Sequence, residues 1–154
     1  MNYKKTVKIF EEYGEKETRK LKDLKGIFRE RISDDGNKKV YETYTKKFSP
    51  INLTLTEIEP GNVNGEFFLT KGHIHKNRTP EFYVLLEGKG LLLLQKGNKI
   101  KEIKLKIGKI NLISEGYAHR LINQGNTKLK VLTIYHENSK PNYNVKFKRR
   151  FFKK

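Results

Sequence analysis

From residue 51 onward the chain alternates apolar and polar side chains in short runs that turn residues interrupt. INLTLTEIE (51–59) places apolar or β-branched residues at nearly every second position, and Pro60-Gly61 ends the run. A period of two is the mark of a strand with one buried face. EFFLTKGHIH (66–75) and EFYVLLEG (81–88) follow, and Gly88 and Gly90 turn the chain into LLLLQ. Gly97-Asn98 makes the next turn, and KIKEIKLKI, INLIS, HRLIN and KLKVLTIYHE complete the series. Strand-length runs punctuated every ten or so positions predict an antiparallel sandwich or barrel. No solenoid-type repeat is visible.

Residues 1–48 are more polar and less regular. TVKIF (6–10) reads as a strand, and KKVYETYTKKF (38–48) as another. Between them, Leu21, Leu24 and Phe28 recur at spacings of three and four within 14–28, which predicts a short helix there. The expected organisation is a single domain. An N-terminal arm with edge strands (1–48) leads into a β core (49–145) and a basic tail (146–154). The tail, KFKRRFFKK, is read as a frayed or dimer-packing segment rather than an RNA contact.

Composition narrows the function classes. A chain of 154 residues can bury a real core. One third of its residues are charged and the mean hydropathy is -0.78, so a soluble protein is expected. No apolar run approaches the ~20 residues that cross a bilayer, and Leu91–Leu94 is far too short. The opening MNYKKTVKIF lacks the features of a secretory signal, so the expected location is cytoplasmic. With no cysteine, disulfides and thiolate metal sites are excluded. The net charge is +17, and lysines outnumber arginines by 27 to 7, which favours a diffuse positive field over bidentate phosphate readout. Such a field fits a basic surface and attracts small anions such as sugar phosphates. No nucleic-acid-binding motif accompanies it, so neither nucleic acid nor membrane is an expected partner.

Candidate chemistry concentrates on four residues. His73 and His75 form a His-x-His pair, which on a strand puts both imidazoles on one face. Glu81 follows shortly after, and His119 comes from a distant strand. A three-histidine, one-carboxylate set suits Fe, Mn, Ni, Co or Zn and leaves coordination positions open. His136, next to Tyr135, fits no such pattern.

The spacing within these segments carries a family resemblance. Gly108, five residues, Ser114, one residue, Gly116, two residues, His119, three residues and Asn123 resemble the second motif of the cupin superfamily, with Ser114 where proline is usual. Glu81, six residues and Gly88 resemble the end of its first motif, although five residues separate His75 from Glu81 where most cupins have three or four. The longer gap is similar to that of the small cupin-type glucose-6-phosphate isomerases of archaea. RKLKDLKGIF, VYETY, EPGNVNGEFFLTKGHIH, EFYVLLEGKGLLLLQ, YAHRLIN and TIYHENSKPNY resemble segments of that family in the same order.

This resemblance implies an all-β fold, the double-stranded β-helix of cupin or jelly-roll barrels, with a short N-terminal arm. It implies one divalent transition metal per subunit, iron foremost, held by His73, His75, Glu81 and His119. It places Tyr41, Thr56, Thr70 and Gly72 at a phosphate pocket, and Tyr83, Tyr135 and Tyr143 beside the sugar. Pro141 stands where family members can carry a histidine. The implied activity is metal-dependent interconversion of glucose 6-phosphate and fructose 6-phosphate, in glycolysis and gluconeogenesis, by a homodimer. Glu81 is then the candidate base and Tyr135 the candidate proton relay. Two other readings compete with it: a non-catalytic sugar-phosphate-binding cupin, and a cupin isomerase or epimerase for another phosphorylated sugar such as mannose 6-phosphate.

Overall fold

The computed structural model describes residues 3–32, 36–77 and 79–154. Helix α1 (Lys4–Tyr13) leads into edge strand β1 (Glu15–Lys20) and a 3-10 turn (Leu21–Leu24). β2 (Lys39–Phe48), β3 (Ile51–Ile58), β4 (Asn62–Val63), β5 (Glu66–Phe67) and β6 (Ile74–His75) come next. β7 (Glu81–Glu87), β8 (Gly90–Lys96), β9 (Lys99–Lys104) and β10 (Ile110–Ile113) follow, then β11 (Ala118–Asn123), β12 (Leu129–His136) and β13 (Pro141–Asn142). Among the described residues no helix is long and apolar enough to cross a membrane.

Two antiparallel sheets face each other. The larger runs β1-β2-β3-β12-β7-β10 and the smaller β11-β8-β9. Their facing side chains form one core, with Tyr41, Ile58, Tyr83, Leu85 and Val131 meeting Leu92, Leu93, Leu121 and Ile122. All four leucines of the 91–94 run are buried in it.

The N-terminal arm departs from the sequence expectation twice. TVKIF lies in helix α1 and is not a strand, because Val7 and Phe10 sit three apart on a helical face and bury against Tyr44, Leu55 and Leu86. Five alternating residues fit either period, and packing on the outer sheet face decides. The helix expected over 14–28 is replaced by β1 and the 3-10 turn. Pairing of Glu15–Lys20 along β2 outweighs the weak helical spacing of Leu21, Leu24 and Phe28, which still reach the core. The tail also differs from expectation, since Phe147 and Phe151 bury in the molecule's own core. Gln95 binds it on both sides, donating to the Lys146 carbonyl and accepting from the Lys148 amide, each at 2.9 Å.

Charges line the outer face of the larger sheet. Glu42 and Glu57 lie directly opposite each other in the β2–β3 register, and each is compensated by its own lysines. Burial would raise the Glu42 carboxyl, but Lys16, Lys39 and the Tyr44 hydroxyl outweigh it and bring it from 4.5 down to about 2. A depressed carboxyl stabilises the fold above its unfolded value and loses that contribution as pH falls from about 4.5 towards 2. Both lysines are partly solvated, so the contribution is about 1–3 kcal/mol after screening. Glu42→Gln should therefore cost about that much at pH 7 and almost nothing near pH 2, as read by urea denaturation across that range.

Candidate metal centre

The four candidate ligands come together at the floor of a cavity between the two sheets. One ligand atom from each of His73, His75, Glu81 and His119 lies within 4.8 Å of the others. Backbone pairing does much of this. His73 and His119 form an isolated antiparallel bridge with hydrogen bonds of 3.1 and 2.9 Å in the two directions. His75 lies two residues further on, in β6, and Glu81 opens β7, whose neighbour β12 sets Tyr135 opposite it.

The electrostatics follow from how closely these groups converge. His119 Nδ1 lies 3.1 Å from the Tyr117 carbonyl, so it donates there and turns Nε2 inward. That Nε2 lies 3.1 Å from His73 Nε2 and 3.1 Å from Glu81 Oε2. Burial, then the neighbouring His119, pushes the His73 imidazole down to about 3, so it is neutral at physiological pH. Burial would raise the Glu81 carboxyl, but His119 and His75 outweigh it and hold it well below the usual carboxylate range. His75 Nε2 approaches Glu81 Oε1 to 2.6 Å without the alignment of a hydrogen bond. Both His75 ring nitrogens and Glu81 Oε2 are buried without a hydrogen-bond partner. Buried orphan lone pairs on nitrogen and oxygen, converging from four side chains, fit a divalent transition ion.

Above the cluster the cavity extends over about 250 Å³. Tyr41, Thr56, Thr70, Gly72, Tyr83, Tyr135 and Tyr143 all line it, together with His73, His75 and His119, while Glu81 lies in the floor beneath. Thr70 Oγ1 accepts from the Leu121 amide at 3.0 Å, which leaves its proton free to donate into the cavity. Gly72 has a φ of 74°, and a Cβ there would lie 2.6 Å from the Phe147 ring and 3.0 Å from the His119 carbonyl, so only glycine fits. Burial pushes the Tyr83 phenol up, and the nearby Glu81 charge adds to this. The Tyr135 hydroxyl lies 3.0 Å from Thr54 Oγ1. Tyr143 sits at the mouth, its ring 5.6 Å from that of His73, with Lys71 Nζ 5.0 Å above it. Pro141 also lines the cavity, and His136 does not.

Sequence reasoning missed Glu17, Thr43, Thr45, Thr54, Thr133, Ser139 and Arg120, which line the same cavity. The threonines were legible as inward positions of β2, β3 and β12, because each sits at even spacing from a residue already chosen. Glu17 and Arg120 carried no such signal.

The two-sheet arrangement and its buried cluster define a cupin. An oxalate oxidase in complex with glycolate superposes with a TM-score of 0.53 at 19% identity, over 62% of this chain and 46% of that one. The Lactobacillus farciminis oxalate decarboxylase gives 0.55 at 16% identity, over 66% of this chain and 30% of that one. More specifically, residues 18–152 match the family model of glucose-6-phosphate isomerase (GPI), and the chain belongs to that family. The glucose-6-phosphate isomerase of Thermococcus litoralis is 36% identical over 135 residues, covering 80% of this chain and 71% of its own. That of Pyrococcus abyssi is 35% identical over 151 residues, covering 91% and 80%.

Proposed function

We propose that this chain is a metal-dependent aldose–ketose isomerase interconverting glucose 6-phosphate and fructose 6-phosphate. The observation that carries this reading, beyond family membership, is that the cluster's three histidines, with Glu81 beneath them, share one cavity with Thr70 and Gly72. Phosphate held at Thr56, Thr70, Gly72 and Tyr41 would leave the sugar's other end over the cluster. His73, His75, Glu81 and His119 would hold one divalent ion, iron by preference, with Mn, Ni, Co and Zn suiting the same donors. When bound, the ion supplies Lewis-acid stabilisation of negative charge developing on the sugar's O1 and O2.

The chain's own residues supply the rest. Glu81 takes the C2 proton of the open-chain aldose, giving a cis-enediolate, and returns a proton to C1. Tyr135, across the strand from Glu81, passes the hydroxyl proton from O2 to O1. Tyr83 and Tyr143 position the sugar hydroxyls. Positive net charge draws the anionic substrate in, and the cytoplasm, where sugar phosphates are found, is the proposed place of action.

A coupled assay with fructose 6-phosphate tests this reading. Turnover is expected to vanish with chelator and to return on adding Fe, Mn, Ni, Co or Zn. Turnover indifferent to chelation defeats the proposal.

We further propose a homodimer through the outer face of the larger sheet. Ile110, Leu112 and Phe82 are 65%, 51% and 41% exposed there, on the unpaired edge strand β10 and its neighbour β7. Sedimentation should show a dimer that Phe82→Glu converts to monomer. A variant that stays dimeric rules out this face.

A further inference from the structure

Strand β11 and the segment 69–73 run antiparallel, but their ladder is interrupted. The Thr70 amide donates to the Leu121 carbonyl at 3.0 Å, and His73 and His119 exchange both backbone bonds. Two steps along β11 are thus matched by three along the facing segment, so Lys71 and Gly72 arch out in a bulge. Arg120 fills the space beneath that arch. Its Nη2 donates to the Lys71 carbonyl at 2.6 Å, and its guanidinium lies 4.2 Å from the Phe147 ring centre.

Three further facts make Arg120 unusual. It is 6% exposed, and its Nε is buried with no hydrogen-bond partner. Among the described residues no carboxylate pairs with it, because Glu66 is held by Arg150 at 2.9 Å and by the Arg29 amide at 2.7 Å. A buried cation with no directly paired carboxylate is costly and favours an anion brought close to it. Finally, the peptide it grips ends in the amide of Gly72, a residue that lines the cavity, and that amide has no hydrogen-bond partner among the described residues. Hydrogen bonds in series polarise one another, so a charged donor on the Lys71 carbonyl sharpens the N–H at the other end of the same peptide.

We propose that Arg120 is a positioning residue for the substrate's phosphate: it fixes the Lys71–Gly72 peptide, strengthens the Gly72 N–H as a phosphate donor, and sets an unpaired positive charge behind the group. Phe147 is its platform, which gives the C-terminal segment a part in anion binding. The identity of the substrate rests on the isomerase reading, whereas the affinity for a phosphate does not.

The test uses the full chain loaded with zinc, which is diamagnetic. Inorganic phosphate is titrated while the Gly72 amide is followed by 15N NMR, and KM and kcat are measured with fructose 6-phosphate. In the unsubstituted chain the Gly72 amide proton is expected to move downfield on adding phosphate. Arg120→Met should weaken phosphate binding and raise KM about tenfold, leave kcat within about twofold, and remove most of that shift. Arg120→Lys should recover part of the affinity because the charge returns. If Arg120→Met does not fold, Phe147→Leu supplies the reading, with phosphate bound about threefold more weakly. Unchanged phosphate affinity in the folded variant overturns the inference, as does a loss confined to kcat, and so does an unsubstituted chain that binds no phosphate. A chain that binds phosphate through Gly72 but never turns over fructose 6-phosphate sinks the isomerase reading and leaves this inference standing.

Discussion

Glu81→Gln is expected to lower turnover of fructose 6-phosphate by about 10²–10⁴-fold, the usual contribution of a positioned acid–base group. Glutamine keeps the shape and one oxygen donor but has no lone pair basic enough to take the C2 proton. The metal should therefore still bind, more weakly, and calorimetric titration of zinc separates that loss from the catalytic one. Turnover in D2O gives a second readout. Proton transfer through Glu81 should leave solvent deuterium on the sugar at C1 or C2. Product free of deuterium points instead to direct hydride transfer between the carbons, and removes Glu81 from the role of base.

Metal should also stabilise the fold strongly. A ligand that binds only the native chain adds about 4 kcal/mol when present at a thousand times its dissociation constant. For a domain of this size that corresponds to a rise in Tm of about 8–16 °C. Differential scanning calorimetry of chelated protein with and without zinc should show it, and His119→Ala should abolish it. The buried orphan nitrogens of His75 and the crowded Nε2 atoms of His73 and His119 are the physical source of the effect. An equal rise in His119→Ala would mean that zinc stabilises the chain from somewhere else.

The sequence spoke most clearly where side-chain period and spacing coincide. β2, β3, β7 and β12 alternate cleanly because one face is buried and the other solvated or covered by α1, and their inward positions brought Tyr41, Thr56, Tyr83 and Tyr135 to one cavity. His73, His75, Glu81 and His119 were legible for the same reason. The run EFFLTKGHIH reads as one strand, but the arch at Lys71–Gly72 divides it: β5 and β6 pair at its ends, and between them Leu69 and His73 make only isolated bridges to Ile122 and His119. Helix α1 and the burial of Phe147 and Phe151 were illegible, because both depend on which distant surface is free to cover. Arg120 was hidden by its type, as arginine in a strand ordinarily reads as solvent-facing.

The chain order of the larger sheet has a consequence for synthesis. β12 lies between β3 and β7, yet the ribosome makes it more than forty residues after β7 is finished. Until it emerges, both neighbours expose bare edges, β3 rich in leucine and isoleucine and β7 in leucine and aromatics, open to mispairing with other nascent chains. Translation stalled in the interval 88–128 should therefore yield aggregates rather than a partly functional intermediate.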